Sequence, residues 1–137
     1  MMIKSILLKI KQIRGALHER LKSTRRSSHW NAFRDAYLKE HAKCVACGAT
    51  VKLQVHHIKP FHIKPALELD TKNLITLCMS KNSCHLDIGH GGSFRSYNPS
   101  VVQDSFKFFR IFQVNPKQTA SLLKEIKARR QKNQISK

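Results

Sequence analysis

Across residues 2–21, Ile3, Ile6, Leu7, Ile10, Ile13, Leu17 and Leu21 return at helical spacing with Lys and Arg between them. That pattern predicts a basic amphipathic helix. Such segments can also lie on anionic lipid, but packing against a domain or tracking a phosphate backbone suits the charge elsewhere in the chain. A polar, arginine-bearing linker follows over 22–28. Ser27 or Ser28 can cap a second helix, about 28–40, whose apolar stripe of Trp30, Phe33, Tyr37 and Leu38 suits a core. Residues 44–48 form a tight turn in which Gly48 lets the backbone curl its amides toward sulfur. Residues 51–58 alternate weakly and stop at Lys59-Pro60, so a strand runs into a loop there. The loop, 60–72, holds Pro65 and the acidic Glu68 and Asp70, and 73–78 is a second strand. A short helix over 83–88 is halted by Gly89, Gly91 and Gly92. Ser100-x-x-Gln103 reads as a capping box opening a helix through about Phe112, with Phe106 and Phe109 as packing residues. Asn115-Pro116 starts a last helix carrying Leu122, Leu123 and Ile126, which frays into a basic tail over 127–132.

The organisation implied is one compact domain, 28–114, between a basic N-terminal helix and linker, 1–27, and a basic C-terminal helix and tail, 115–137. A core this small commonly needs metal or disulfides. Charge sharpens the picture: Lys plus Arg number 26 against 8 Asp plus Glu, a net +18. Self-repulsion on that scale favours a polyanionic partner, so nucleic acid is expected and binding should weaken steeply with salt. A solvated basic surface or an anionic membrane is the rival reading. Lys4, Lys9 and Lys11 interrupt the N-terminal apolar run, which argues against a secretory signal, and no stretch is long enough to span a membrane. A reducing, cytoplasmic setting follows, and there paired cysteines usually bind zinc rather than each other.

All four cysteines fall in one frame, Cys44-x2-Cys47 and Cys78-x5-Cys84, with 30 residues between the pairs. Four thiolates satisfy structural zinc and leave no stray thiol. The histidines need a second site. His56 and His57 are adjacent, so a regular strand would point them to opposite faces. If the strand ends or twists near Pro60, one can ligate a metal while the other stays free as a base. A divalent cation held by His56 and His85 could then act on a phosphate. His90 lies five residues beyond His85, about 140° away on a straight α-helix. It joins the metal only if the helix breaks at Gly89, and is otherwise a helix-end histidine bound to water or phosphate. His62 has no evident partner and reads as a surface residue. The bland alternative is a zinc module with incidental histidines.

The ordered set Cys44-x2-Cys47-Gly48, Leu53-Gln-Val-His-His57-Ile-Lys-Pro60, Asn73-Leu-Ile-Thr-Leu-Cys78 and Cys84-His85 resembles the HNH endonuclease family. Gly89-His90-Gly91-Gly92, Ser96-Tyr97-Asn98-Pro99 and the lead-in from Trp30 to Cys47 look like its small stand-alone versions from phages and bacteria. The resemblance implies an α+β protein: a small zinc-stapled ββα-metal core with flanking α-helices, its strands paired as a hairpin. It makes His57 the general base, Asn73 the residue that orients the loop and base or touches metal, and His85 the closing ligand. His57, Asn73 and His85 are thus the expected catalytic residues. Cys44, Cys47, Cys78 and Cys84 are expected to hold structural Zn2+, and His56, His85 and His90 a catalytic divalent metal. His56 stands where many relatives carry Asp or Glu, which favours Mn2+, Ni2+ or Zn2+ over oxygen-seeking Mg2+. Lys59 and Arg95 are candidate nucleic-acid contacts. The implied activity is hydrolysis of DNA phosphodiester bonds in a bacterial or phage-infected cell. No membrane or small-molecule cofactor is expected, and a protein partner is left open. A non-catalytic zinc-stapled DNA-binding module is the alternative, and an RNA nuclease or RNA-binding factor a third reading.

Overall fold

The computed structural model describes residues 25–132. The helix expected over 2–21 lies outside the described residues. Helix α1 spans Trp30–Glu40, strand β1 Leu53–His57 and strand β2 Leu74–Cys78. A five-residue helical turn, His85–Gly89, comes next, then β3 (Ser96–Tyr97), α2 (Val101–Val114), α3 (Thr119–Arg129) and β4 (Gln131–Lys132). The protein is a small α+β fold. Its main sheet is an antiparallel hairpin in which Gln54 faces Leu77 and His57 faces Leu74; β3 and β4 pair separately.

All five residues of β2 are buried, so neither face of that strand meets water. Leu77, Ile88, Val101, Phe108, Leu122 and Ile126 meet in one apolar core. On α2 the buried positions are Val101, Asp104, Ser105 and Phe108, successive turns of one face. Phe106 and Phe109 were expected to pack but fall off that face, 55% and 37% exposed. The Ser100 capping box does not form: Ser100 makes no side-chain cap, and its N–H donates instead to Asn98 Oδ1 at 2.9 Å. On α1 only Tyr37 is fully buried, its hydroxyl donating to the Leu74 carbonyl at 3.0 Å. The expected basic tail is helical through Arg129, with Leu122 and Ile126 anchoring it in the core.

The four sulfurs sit where hairpin, knuckle turn and helical turn converge. Gly48, with φ +77°, closes the knuckle by donating to the Cys44 carbonyl at 2.8 Å, and Val45 donates to Thr76 of β2. The Sγ atoms of Cys44, Cys47, Cys78 and Cys84 all lie within 4.8 Å of one another, with Cys47 and Cys78 at 3.6 Å. A tetrahedron with metal–sulfur bonds of about 2.3 Å has edges of about 3.8 Å. The cluster therefore fits a zinc-stapled core, and all four cysteines are free thiols rather than disulfides. Cys84 is pushed well above the ordinary thiol range by its hydrogen bond to the Cys44 sulfur and by burial, whereas the same hydrogen bond draws Cys44 down to about 5. Only a cation lets all four ionise together.

Stripping metal with a strong chelator should abolish the cooperative thermal transition seen by circular dichroism, and Cys84→Ser should do the same. Elemental analysis should find one tightly held metal per chain. A sharp, unshifted melt in chelator would refute the staple.

Candidate active site

The helical turn that follows Cys84 is not the α-helix the sequence pattern predicts. Its hydrogen bonds run five residues, the His90 N–H reaching the His85 carbonyl at 3.1 Å and sharing the Leu86 carbonyl at 3.3 Å. This is π geometry, which widens the turn and brings residues five apart onto one side. The 140° separation expected on an α-helix is thereby removed. The rings of His85 and His90 come to 5.0 Å, and each lies about the same distance from His56 of β1, at 5.1 and 4.9 Å.

Gly89 makes this triangle possible. A Cβ there would stand 3.0 Å from both Cε1 and Nδ1 of His56 and 3.2 Å from Leu77. The sequence marks Gly89 as a helix stop, but in the fold it is the gap that admits an imidazole. The remaining ring nitrogens are oriented by partners. His90 Nδ1–H donates to the Ser96 carbonyl at 2.7 Å, and His85 Nδ1–H to Gln54 Oε1, so each Nε2 keeps its lone pair. His56 Nε2 is buried with no hydrogen-bond partner, a costly state unless something binds it.

Burial also keeps the cluster uncharged. It pushes His56 well below the ordinary histidine range, aided by repulsion from His85, His90 and His57. Burial, then His90, lowers His85 to about 4, and burial lowers His90 against the pull of the Ser96 carbonyl. Three neutral imidazoles with ligand atoms within 4.8 Å of one another could hold a metal ion, and the orphaned His56 nitrogen fits that use.

His57 stands apart from this triangle yet opens on the same cleft, of about 570 Å3, that His56, His85 and His90 line. β1 ends at His57, and the loop beyond folds back over it. Its Nε2–H donates to the Glu68 carbonyl at 3.0 Å, and its ring lies 4.6 Å from that of Trp30. Burial lowers its pKa, partly offset by the Glu68 carbonyl. Glu68 is itself buried, and its carboxylate accepts from the Ser27 N–H at 2.9 Å and pairs with Arg26 at 3.3 Å. The Arg26 guanidinium lies over the rings of both Trp30 and Phe61, 5.1 Å from each. One glutamate thus fixes His57 through its backbone and Arg26 through its side chain.

Asn73 is buried, and its amide is spent on the loop. Oδ1 accepts from the Lys59 N–H at 2.8 Å, while Nδ2 donates to the carbonyls of Lys59 (3.1 Å) and Leu67 (3.3 Å). All three bonds run to the loop, and none reaches His57 or the histidine cluster. Lys59 and Arg95 are exposed but do not line the cleft; Arg26 and Arg34 do, with the exposed His62. Arg26 reads as linker in the sequence because its partner Glu68 lies 42 residues away. Trp30 and Leu38, expected in the core, also line the cleft.

A two-stranded hairpin and a helical turn bring four sulfurs into one cluster and three imidazoles into another, and each cluster could hold a metal ion. Residues 44–91, about a third of the chain, match the family model for HNH endonuclease. No curated protein and no solved structure matches the chain.

Gly89→Ala should force His56 aside and weaken Mn2+ binding at the histidine cluster by roughly tenfold or more, read by titration calorimetry. Unchanged affinity would show that His56 is not a ligand. Asn73→Ala removes three hydrogen bonds and leaves loop groups unpaired, so denaturant unfolding should register a loss of about 2–4 kcal/mol.

Proposed function

We propose that the protein is a metal-dependent endonuclease that hydrolyses phosphodiester bonds in DNA. The observation that carries this reading is the placement of His57: an imidazole outside the three-histidine cluster, yet lining the same cleft. With Nε2–H bound to the Glu68 carbonyl, its Nδ1 lone pair remains to take a proton from water. Trp30 and the Asn73-clamped loop hold the ring in place, so little reorganisation is needed when a substrate arrives.

His56, His85 and His90 would hold the catalytic divalent ion, with Mn2+, Ni2+ or Zn2+ favoured over Mg2+ by the all-nitrogen set. Bound there, such an ion supplies Lewis-acid stabilisation of phosphate oxygen and leaving group. Cys44, Cys47, Cys78 and Cys84 would hold structural Zn2+, and their free state suits a reducing cytoplasm. Arg26 and Arg34 on the cleft wall would meet the phosphate backbone, with Lys59 and Arg95 as outer contacts. The flanking segments 1–27 and 115–137 contribute to the positive charge of a net +18 chain.

Incubated with supercoiled plasmid and each of Mg2+, Mn2+, Ni2+ and Zn2+, the protein should relax or linearise the DNA. His57→Ala should lower the cleavage rate roughly 10²–10⁴-fold with plasmid affinity retained. Wild-type cutting by His57→Ala removes that residue as the base. Matched DNA and RNA duplexes, digested side by side, separate a DNA enzyme from an RNA enzyme.

A further inference from the structure

The π turn that places His85 and His90 is an irregular element, and short π turns hold only where their surroundings fix them. Its C-terminal carbonyls are taken up one after another. Ile88 accepts from Asn98 Nδ2 at 3.0 Å, Gly89 from the Asn98 N–H at 2.9 Å, and His90 from Ser96 Oγ at 2.6 Å. Asn98 is 1% exposed, and its Nδ2 also donates to Oδ2 of Asp104 at 2.7 Å. Asp104 is a buried carboxylate on α2, and its other oxygen accepts from Nη2 of Arg129, at the end of α3. The next residue, Arg130, donates from Nη1 to the Gly91 carbonyl at 2.7 Å.

α3 also presses on the glycine run itself. A Cβ on Gly91 would come 2.8 Å from Arg130, and one on Gly92 2.7 Å from Lys127. A side chain on Gly91 would collide with Arg130 close to its backbone, whereas the flexible tip of Lys127 could swing away from one on Gly92.

We propose that Asp104 and Arg129 are positioning residues for the metal centre. The chain Arg129–Asp104–Asn98 runs from α3 through α2 to the carbonyls of the π turn, and it sets the spacing between His85 and His90. The C-terminal helix is in this view part of the site, not only a basic extension. Neither residue touches the histidines, so their effect passes through the backbone. The inference rests on reading His56, His85 and His90 as a metal site, and the experiment below keeps the two apart.

The test uses the full chain, with Arg129→Met, Arg129→Lys and Asp104→Asn beside Lys124→Met, an exposed control on the same helix. Mn2+ affinity at the histidine cluster is followed by electron paramagnetic resonance of free Mn2+, and sulfur-bound metal by elemental analysis. Arg129→Met and Asp104→Asn should bind Mn2+ roughly 10–100-fold more weakly, with sulfur-bound metal unchanged. Arg129→Lys should recover part of the loss, and Lys124→Met should match wild type. In protein that keeps its sulfur-bound metal and receives no Mn2+, the imidazole N–H resonance of His90, held by Ser96, should be seen in wild type and lost through exchange in Arg129→Met. Variants that melt earlier but keep wild-type Mn2+ affinity and the His90 signal overturn the proposal, because the chain would then be only structural. If wild type binds Mn2+ but cuts nothing, the nuclease reading falls and the brace stands. If wild type binds no Mn2+, the metal-site reading falls, and the His90 resonance alone decides the brace.

Discussion

Four sulfur atoms drawn into one nest determine where everything else in this protein can go. Cys44 and Cys47 come from a knuckle turn, Cys78 ends β2, and Cys84 immediately precedes the π turn. Bringing those sulfurs together therefore brings the hairpin that carries His56 and His57 against the turn that carries His85 and His90. The apolar core is too small to impose that approach alone; its side chains come from short elements with few buried residues each. A metal held by the four thiolates would supply the directional force that a larger protein draws from hydrophobic burial.

What the staple positions is costly in isolation. Three imidazoles are packed close enough that His90 opposes charging of His85 and both oppose charging of His56, whose Nε2 is buried without a partner. A glycine is required where a side chain would relieve the crowding, and a π turn stands where an α-helix would form more readily. Local compromises of this kind persist where surrounding structure over-determines them, and they cluster at functional sites. Here the determining contacts are the sulfur nest on one side and the Asn98–Asp104–Arg129 chain on the other.

The neighbouring residues His56 and His57 show how a strand end divides labour. Within a strand they would face opposite ways; at its end one ring enters the histidine triangle while the other meets Trp30 and the Glu68 carbonyl. Both remain on one cleft. The loop from 58 to 73 keeps them there, tied through Asn73 at one end and through Glu68 to the start of α1 at the other.

Much of this was legible in the chain. Cysteine spacing announced the four-sulfur cluster, weak alternation ending at Pro60 announced β1, an apolar stripe announced α1, and Asn115-Pro116 announced α3; α2 was placed correctly from a Ser100 capping box that does not itself form. The π turn was not legible: α and π geometries draw on the same residue types, and the choice is made by what the carbonyls bond to, here an asparagine ten residues on. For the same reason spacing left His90 open between a metal ligand and a helix-end residue, Gly89 looked like a stop rather than a gap, and Arg26 looked like linker. Phe106 and Phe109 were misjudged because a helix rich in aromatics does not declare which face is covered. Sequence determined the candidate cysteines and histidines and the elements that bear them, since those depend on residue type and short-range spacing. Tertiary structure alone decided which histidines share a point in space, since that depends on contacts between segments far apart in the chain.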